Sequence, residues 1–189
     1  MKQLVVNSIV AIGLVAIAVH GADAEASRES RGAAACEVAA DMTPTHVRAV
    51  DESVAALLRA GIRRSPTVAD IVRRIEASSG IVYVVAGGYR QLGRGVELRG
   101  GMSHAITVVG GIRIIRVGVN VHAGDLSIAT VGHELWHATE VLDDPDATDE
   151  TGIQSLYERI GFMARIGIYE TDGARNVTER VLRELKRCQ

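Results

Sequence analysis

The chain has 189 residues, of which 47% are hydrophobic, 23% charged and 3% aromatic. That is too hydrophobic for a disordered polypeptide, and 20 glycines with 3 prolines are too few for a fibrous repeat. A net charge of −2 gives no basic field to favour nucleic acid, and two cysteines cannot build a disulfide-stapled miniprotein or a four-cysteine zinc module.

Met1-Lys2 is a short positive start, followed by an apolar run from Leu4 to Val19 and small residues at Ala22 and Ala24. The run is shorter than the roughly 20 residues of a membrane span, so residues 1–24 read as an export signal cleaved after Ala24. The expected location is then periplasmic or extracellular. Residues 25–42 are small and polar and read as a linker, leaving 43–189 as a single domain. Export would place Cys36 and Cys188 in an oxidising compartment, where a pair of cysteines usually closes into a disulfide.

From Thr43-Pro44 the pattern turns helical. Val47, Val50, Val54, Leu57 and Leu58 recur at spacings of three and four, with acids early and arginines late. Pro66 opens a second helix through Val68, Ile71, Val72 and Ile75. Ile81–Val85 is a β-branched run of strand length. Residues 89–101 read as a glycine- and arginine-rich loop with a short strand at 96–98; Arg90, Arg94 and Arg99 there make a local basic strip or serve solubility. Gly110-Gly111 separates the apolar runs 105–109 and 112–119, which predicts a tight hairpin.

Asp125 is placed to cap a helix running to about Val141. A shorter helix follows through Ile153, Leu156, Tyr157 and Ile160, and a last one spans about Thr171 to Arg187. The predicted class is α+β: a mixed sheet of three or four strands against a central helix, with two helices before the sheet and two after the central helix. The acidic run Asp143, Asp144, Asp146, Asp149 and Glu150 lacks the ligand alternation of a calcium loop and reads as a solvated connection. His104 and His122 sit in or beside short links and read as solvated loop residues.

The chemical signal is His133-Glu134-Leu135-Trp136-His137. Positions i and i+4 stack on one helical face, so both imidazoles can address one ion, and the adjacent glutamate can reach water bound to it. Two neutral imidazoles with one carboxylate suit a single Zn²⁺ with a position left for water. This segment resembles the active-site helix of the zincin metallopeptidases, whose signature is His-Glu-x-x-His. The general layout extends the likeness over residues 80–189, whereas 43–78 match nothing in that family.

The resemblance implies a small zincin-like fold in which an edge strand, here expected from the 105–119 hairpin, pairs with a peptide substrate. It implies hydrolysis of peptide bonds with Glu134 as general base and His133 and His137 as zinc ligands. A distant third ligand would make it gluzincin-like. Glu170 is favoured, because it is expected to open the last helix and is followed by the small residues Gly173 and Ala174. Glu158, 21 positions beyond His137, is a rival. Asp143 would end an aspartate-type metzincin pattern, but Glu140 stands where that pattern turns on glycine. Glu140 itself shares the helical face of both histidines, which suits orienting one of them. Tyr169, beside the favoured ligand, and Tyr157 are candidates to stabilise an oxyanion, or else pack in the core. The competing function is a non-catalytic exported zinc domain that binds a peptide or a cell-envelope component. Nucleic-acid binding and stable membrane insertion after signal cleavage are not expected.

Overall fold

The computed structural model describes residues 9–11, for backbone only, together with 42–87, 100–103, 105–122, 124–165 and 168–187. Cys36, Cys188, His104, the arginines between 89 and 99, and the strand expected at 96–98 lie outside the described residues, as does most of the expected signal and linker. Among the described residues no helix is long and apolar enough to cross a membrane.

The class is α+β. Strand β1 (Ile9–Ala11) comes first, followed by β2 (Val47–Ala49), α1 (Glu52–Arg64), α2 (Pro66–Glu76) and β3 (Ile81–Ala86). Then come β4 (Gly100–Ser103), β5 (Thr107–Val109), β6 (Ile112–Val119) and α3 (Asp125–Asp143). The chain ends with α4 (Glu150–Ile160), β7 (Phe162–Arg165), β8 (Ile168–Glu170) and α5 (Asp172–Lys186). Two helices precede the sheet strands that flank α3 and two follow α3, as the periodicity predicts.

The first helix starts later than expected. Val47 belongs to strand β2, which pairs in parallel with β3, and Val50 lies in the bend after it. Helix α1 begins only after Asp51, whose side chain caps the Val54 N–H at 3.0 Å. Four donors from Thr45, His46 and Val47 converge on the Glu76 carboxylate at 2.8–3.0 Å. That side chain holds residues 45–47 extended against the end of α2, so a tertiary anchor overrides a local helical spacing.

The main sheet runs β1-β4-β6-β3-β2, with β5 also on β6. β2, β3 and β6 are parallel, whereas β1, β4 and β5 are antiparallel to their neighbours. The sheet is thus larger than the three or four strands predicted. β5 and β6 form the predicted hairpin on Gly110 (φ 57°) and Gly111 (φ 80°), the positive angles a two-residue turn needs. β4 and β5 lie one after the other along the same edge of β6, β4 opposite Val117–Val119 and β5 opposite Ile112–Ile114. Two further strands, β7 and β8, pair as a separate antiparallel ribbon that the sequence reading did not contain.

Helix α3 is buried around most of its circumference and packs on α1, α2, α5, β4 and β6. Its cap residue is Gly124 (φ 125°) rather than Asp125, which sits in the first turn and pairs with Arg64 at 2.8 Å. Gly132 lets α2 and α5 approach closely: a Cβ there would touch Val68, Val177 and Val181. At the other end, the Arg113 guanidinium of β6 donates to the carbonyls of Val141, Leu142 and Asp144. Those are among the last carbonyls a helix leaves unsatisfied, so one strand side chain pins the C-terminus of α3.

Candidate metal centre

His133 and His137 lie one turn apart in the middle of α3, and their rings meet edge to face with centroids 4.9 Å apart. Glu170 arrives from β8. It ends a strand instead of opening the last helix, because Thr171 is the cap of α5 and accepts from the Ala174 N–H at 3.1 Å. His133, His137 and Glu170 form a buried group that could hold a metal ion. Their side chains are withdrawn from solvent, with His133 and Glu170 at 2% and His137 at 0% exposure.

The distances discriminate between an ion cage and casual proximity. The two histidine Nε2 atoms are 3.1 Å apart, and Glu170 Oε1 lies 3.4 Å from His133 Nε2 and 3.6 Å from His137 Nε2. Ligands at about 2.0–2.1 Å from a tetrahedral zinc sit about 3.3–3.4 Å from each other. The three edges of the triangle fall within a few tenths of an ångström of that value.

The outer nitrogens fix which atoms face inward. Thr178 Oγ1, on α5, donates to the Ala174 carbonyl at 3.3 Å and so accepts from His133 Nδ1 at 2.7 Å. Glu140 Oε2 accepts from His137 Nδ1 at 2.8 Å. With a proton on each Nδ1, both Nε2 lone pairs point into the triangle beside a carboxylate oxygen. Three lone-pair donors so close demand a positive charge, supplied either by a proton or by a cation.

The electrostatics agree. Burial pulls His137 down, but the Glu140 and Glu170 carboxylates outweigh it and hold the ring up at about 10. Burial raises Glu170, yet hydrogen bonds from both histidines bring it down to about 2. Burial lowers His133. Together the groups make a buried cluster of donor atoms that could hold one cation. Among the described residues, the Glu170 Oε2 atom and both Glu134 oxygens are buried without a hydrogen-bond partner, polar atoms of the sort a bound ion and its water would satisfy.

Glu134 is fully buried, and burial pushes its carboxyl well above the usual range. Its environment includes His137 and Glu170, whose charges act on it. β4 crosses directly over it: a Cβ on Gly100 would lie under 3.0 Å from Glu134 Oε1 and from Thr130 Cγ2. Only glycine permits that approach of a strand backbone to the carboxylate. β4 thus lies against the acid, whereas β5 of the 105–119 hairpin pairs with Ile112–Ile114 of β6, away from the β4 positions Val117–Val119.

The rivals for third ligand lie elsewhere. Asp143 pairs with Arg74 at the surface, and Glu158 is exposed and accepts from Gln154 at 2.7 Å. Glu140 stands behind the centre and holds three partners, with Oε1 accepting from Trp136 Nε1 at 2.8 Å and Thr171 Oγ1 at 2.7 Å. Gly173 fits beneath this cluster, since a Cβ there would meet Trp136 Nε1 under 3.0 Å. Tyr169 precedes Glu170 on β8, and alternation sends it to the opposite face. Its ring stacks on Tyr157 at 6.2 Å and its hydroxyl reaches Glu158 at 3.5 Å, contacts of a packed side chain and not of an oxyanion group at the triad. The Tyr157 hydroxyl bonds the His137 carbonyl at 3.3 Å. His122 is exposed, and its backbone N–H donates to Ser127.

Thr178 and Gly100 were missed in the sequence. Thr178 carried a signal: it is a lone hydroxyl on the apolar stripe Ala174, Val177, Val181 and Leu185 of α5. Replacing Glu140 by Gln, or Thr178 by Val, is expected to weaken metal binding by about 10–100-fold while leaving the fold intact, as competition with a chromogenic chelator would measure. Unchanged affinity in both variants would deny these side chains an orienting role.

Compared with protein-family models, curated proteins and solved structures, the chain gives no match.

Proposed function

We propose that the protein is a zinc-dependent peptidase with a small zincin-like fold, in which His133, His137 and Glu170 hold one zinc ion and Glu134 is the general base. The observation that carries this reading is the triangle of two Nε2 atoms and one carboxylate oxygen with edges of 3.1, 3.4 and 3.6 Å. Two nitrogens and one oxygen are a donor set that zinc accepts, and three protein ligands leave a fourth position free. An antiparallel strand of a mixed sheet crossing above the base supports the zincin likeness.

His133, His137 and Glu170 would hold the zinc, which when bound would supply a Lewis acid able to activate water and polarise a substrate carbonyl. Glu134 takes the proton from the attacking water and passes it to the departing amine. Thr178 and Glu140 hold both imidazoles with Nε2 facing inward. Export from the cell, resting on residues 1–24, gives such a peptidase its place outside the cytoplasm.

The competing reading is a zinc-bearing exported domain that binds without turnover, and the complete burial of the triad favours it. An unpartnered carboxylate beside the metal position favours hydrolysis, since a purely structural cage has no use for one. The test uses residues 25–189, which retain the hydrophobic core found among the described residues. This species is expected to carry about one zinc per chain, to cleave unstructured peptides, to lose both on chelation and to recover both on adding zinc. A chain that takes up no zinc overturns the proposal; a chain that binds zinc and cleaves nothing moves it to the second reading.

A further inference from the structure

The centre is shut off from solvent, although a peptidase must admit a peptide. β4 covers Glu134 from above, and its inner edge pairs with β6. Its outer edge is not open either. β1 pairs antiparallel along it, with Ile9 opposite Ser103, Val10 opposite Met102 and Ala11 opposite Gly101. The same three-residue strand also lies alongside β8, the strand that delivers Glu170. β1 therefore spans the space between the strand over the base and the strand of the third ligand.

An exposed strand edge is a row of free N–H and C=O groups that pairs with whatever extended backbone reaches it. Residues 3–22 contain no Asp, Glu, Lys or Arg, so no such charged side chain in that stretch has to be desolvated when it pairs with a strand edge. We propose that Ile9–Ala11 is a built-in occupant of the β4 edge, an intramolecular strand that keeps the centre closed while the N-terminal segment remains attached. That the excluded ligand is a peptide rests on the peptidase reading; the occupancy itself does not. Loss of the segment frees the β4 edge and turns a latent chain into an open one.

Proline tests the pairing directly. Consecutive N–H groups of a strand point to opposite sides, so Ile9→Pro with Val10→Pro removes a donor towards β4 whichever register face is used. In the full chain, amides of Gly100–Ser103 are expected to be protected from hydrogen exchange, and in the double variant to exchange at least about tenfold faster. Equal exchange in the two proteins overturns the proposal. Independently, Ile9→Cys with Ser103→Cys places two thiols at directly opposed strand positions, a separation a disulfide spans. Mild oxidation should join them, as peptide mapping would detect; failure to cross-link also overturns it.

Closure is read with a labelled synthetic peptide of residues 6–14, on a Glu134→Gln background that prevents turnover. The proline variant is expected to bind it at least about tenfold more tightly than the chain with Ile9 and Val10 intact, and equal affinity removes the closing role. None of these readouts needs hydrolysis. The proposal can therefore fail while the peptidase stands, and the peptidase can fail while the edge remains occupied.

Discussion

Glu134→Gln is expected to abolish peptide hydrolysis, lowering kcat by about 10²–10⁴-fold, while residues 25–189 still bind one zinc. The substitution is nearly isosteric. It keeps the side chain under Gly100, where both carboxylate oxygens are buried, and touches none of the three metal donors. What it removes is the ability to take a proton. Fold and metal content should therefore match the parent, and measuring both separates lost chemistry from lost structure. Equal hydrolysis in variant and parent would show that Glu134 is not the base. The amide would also lose the unfavourable burial of a charge, so the variant is expected to be no less stable than the parent.

Glu170→Ala is the second large effect. It deletes one donor of the triangle and leaves two histidines on one helix, and the loss should exceed the roughly 100-fold that mutating an outer partner costs. Chelator competition should place its zinc affinity below that of the Glu140→Gln and Thr178→Val variants. Glu158→Ala serves as the control, because Glu158 is exposed and accepts from Gln154 in its own helix. Its affinity should equal that of the parent. The reverse pattern would transfer the ligand role to Glu158. Zinc at 1,000 times its dissociation constant adds about 4 kcal/mol to a fold that binds it, so Glu170→Ala should also erase the rise in Tm that zinc produces.

The centre was legible where chemistry depends on local spacing. His133, Glu134 and His137 share one stretch of helix, and i to i+4 spacing alone predicts that both rings address one point. Glu170 was reachable by a weaker argument, from the small residues behind it: Gly173 does sit against Trp136 of α3, and the Ala174 N–H donates to the Thr171 cap. Its place differs from the expected helix start, since Glu170 closes β8 and the helix starts at Asp172. A three-residue strand is too short for its periodicity to stand out, and the Phe162–Arg165 strand it pairs with is exposed along its length. β2 failed for another cause. Val47, Val50 and Val54 mimic a helical stripe, and what makes 47–49 a strand is pairing with β3 and anchorage on Glu76, both distant in sequence. β4 was hidden because Gly100-Gly101 reads as a loop, although glycine is what the approach to Glu134 requires.

Glu140 has a consequence that goes past orienting one ring. The same carboxylate that bonds His137 also accepts from Thr171, the residue immediately after Glu170. It thus staples together two residues 31 positions apart in the chain. The entropy of closing that long loop is spent when the polypeptide folds, not when an ion arrives. A cation entering the triangle would then need only small side-chain adjustment.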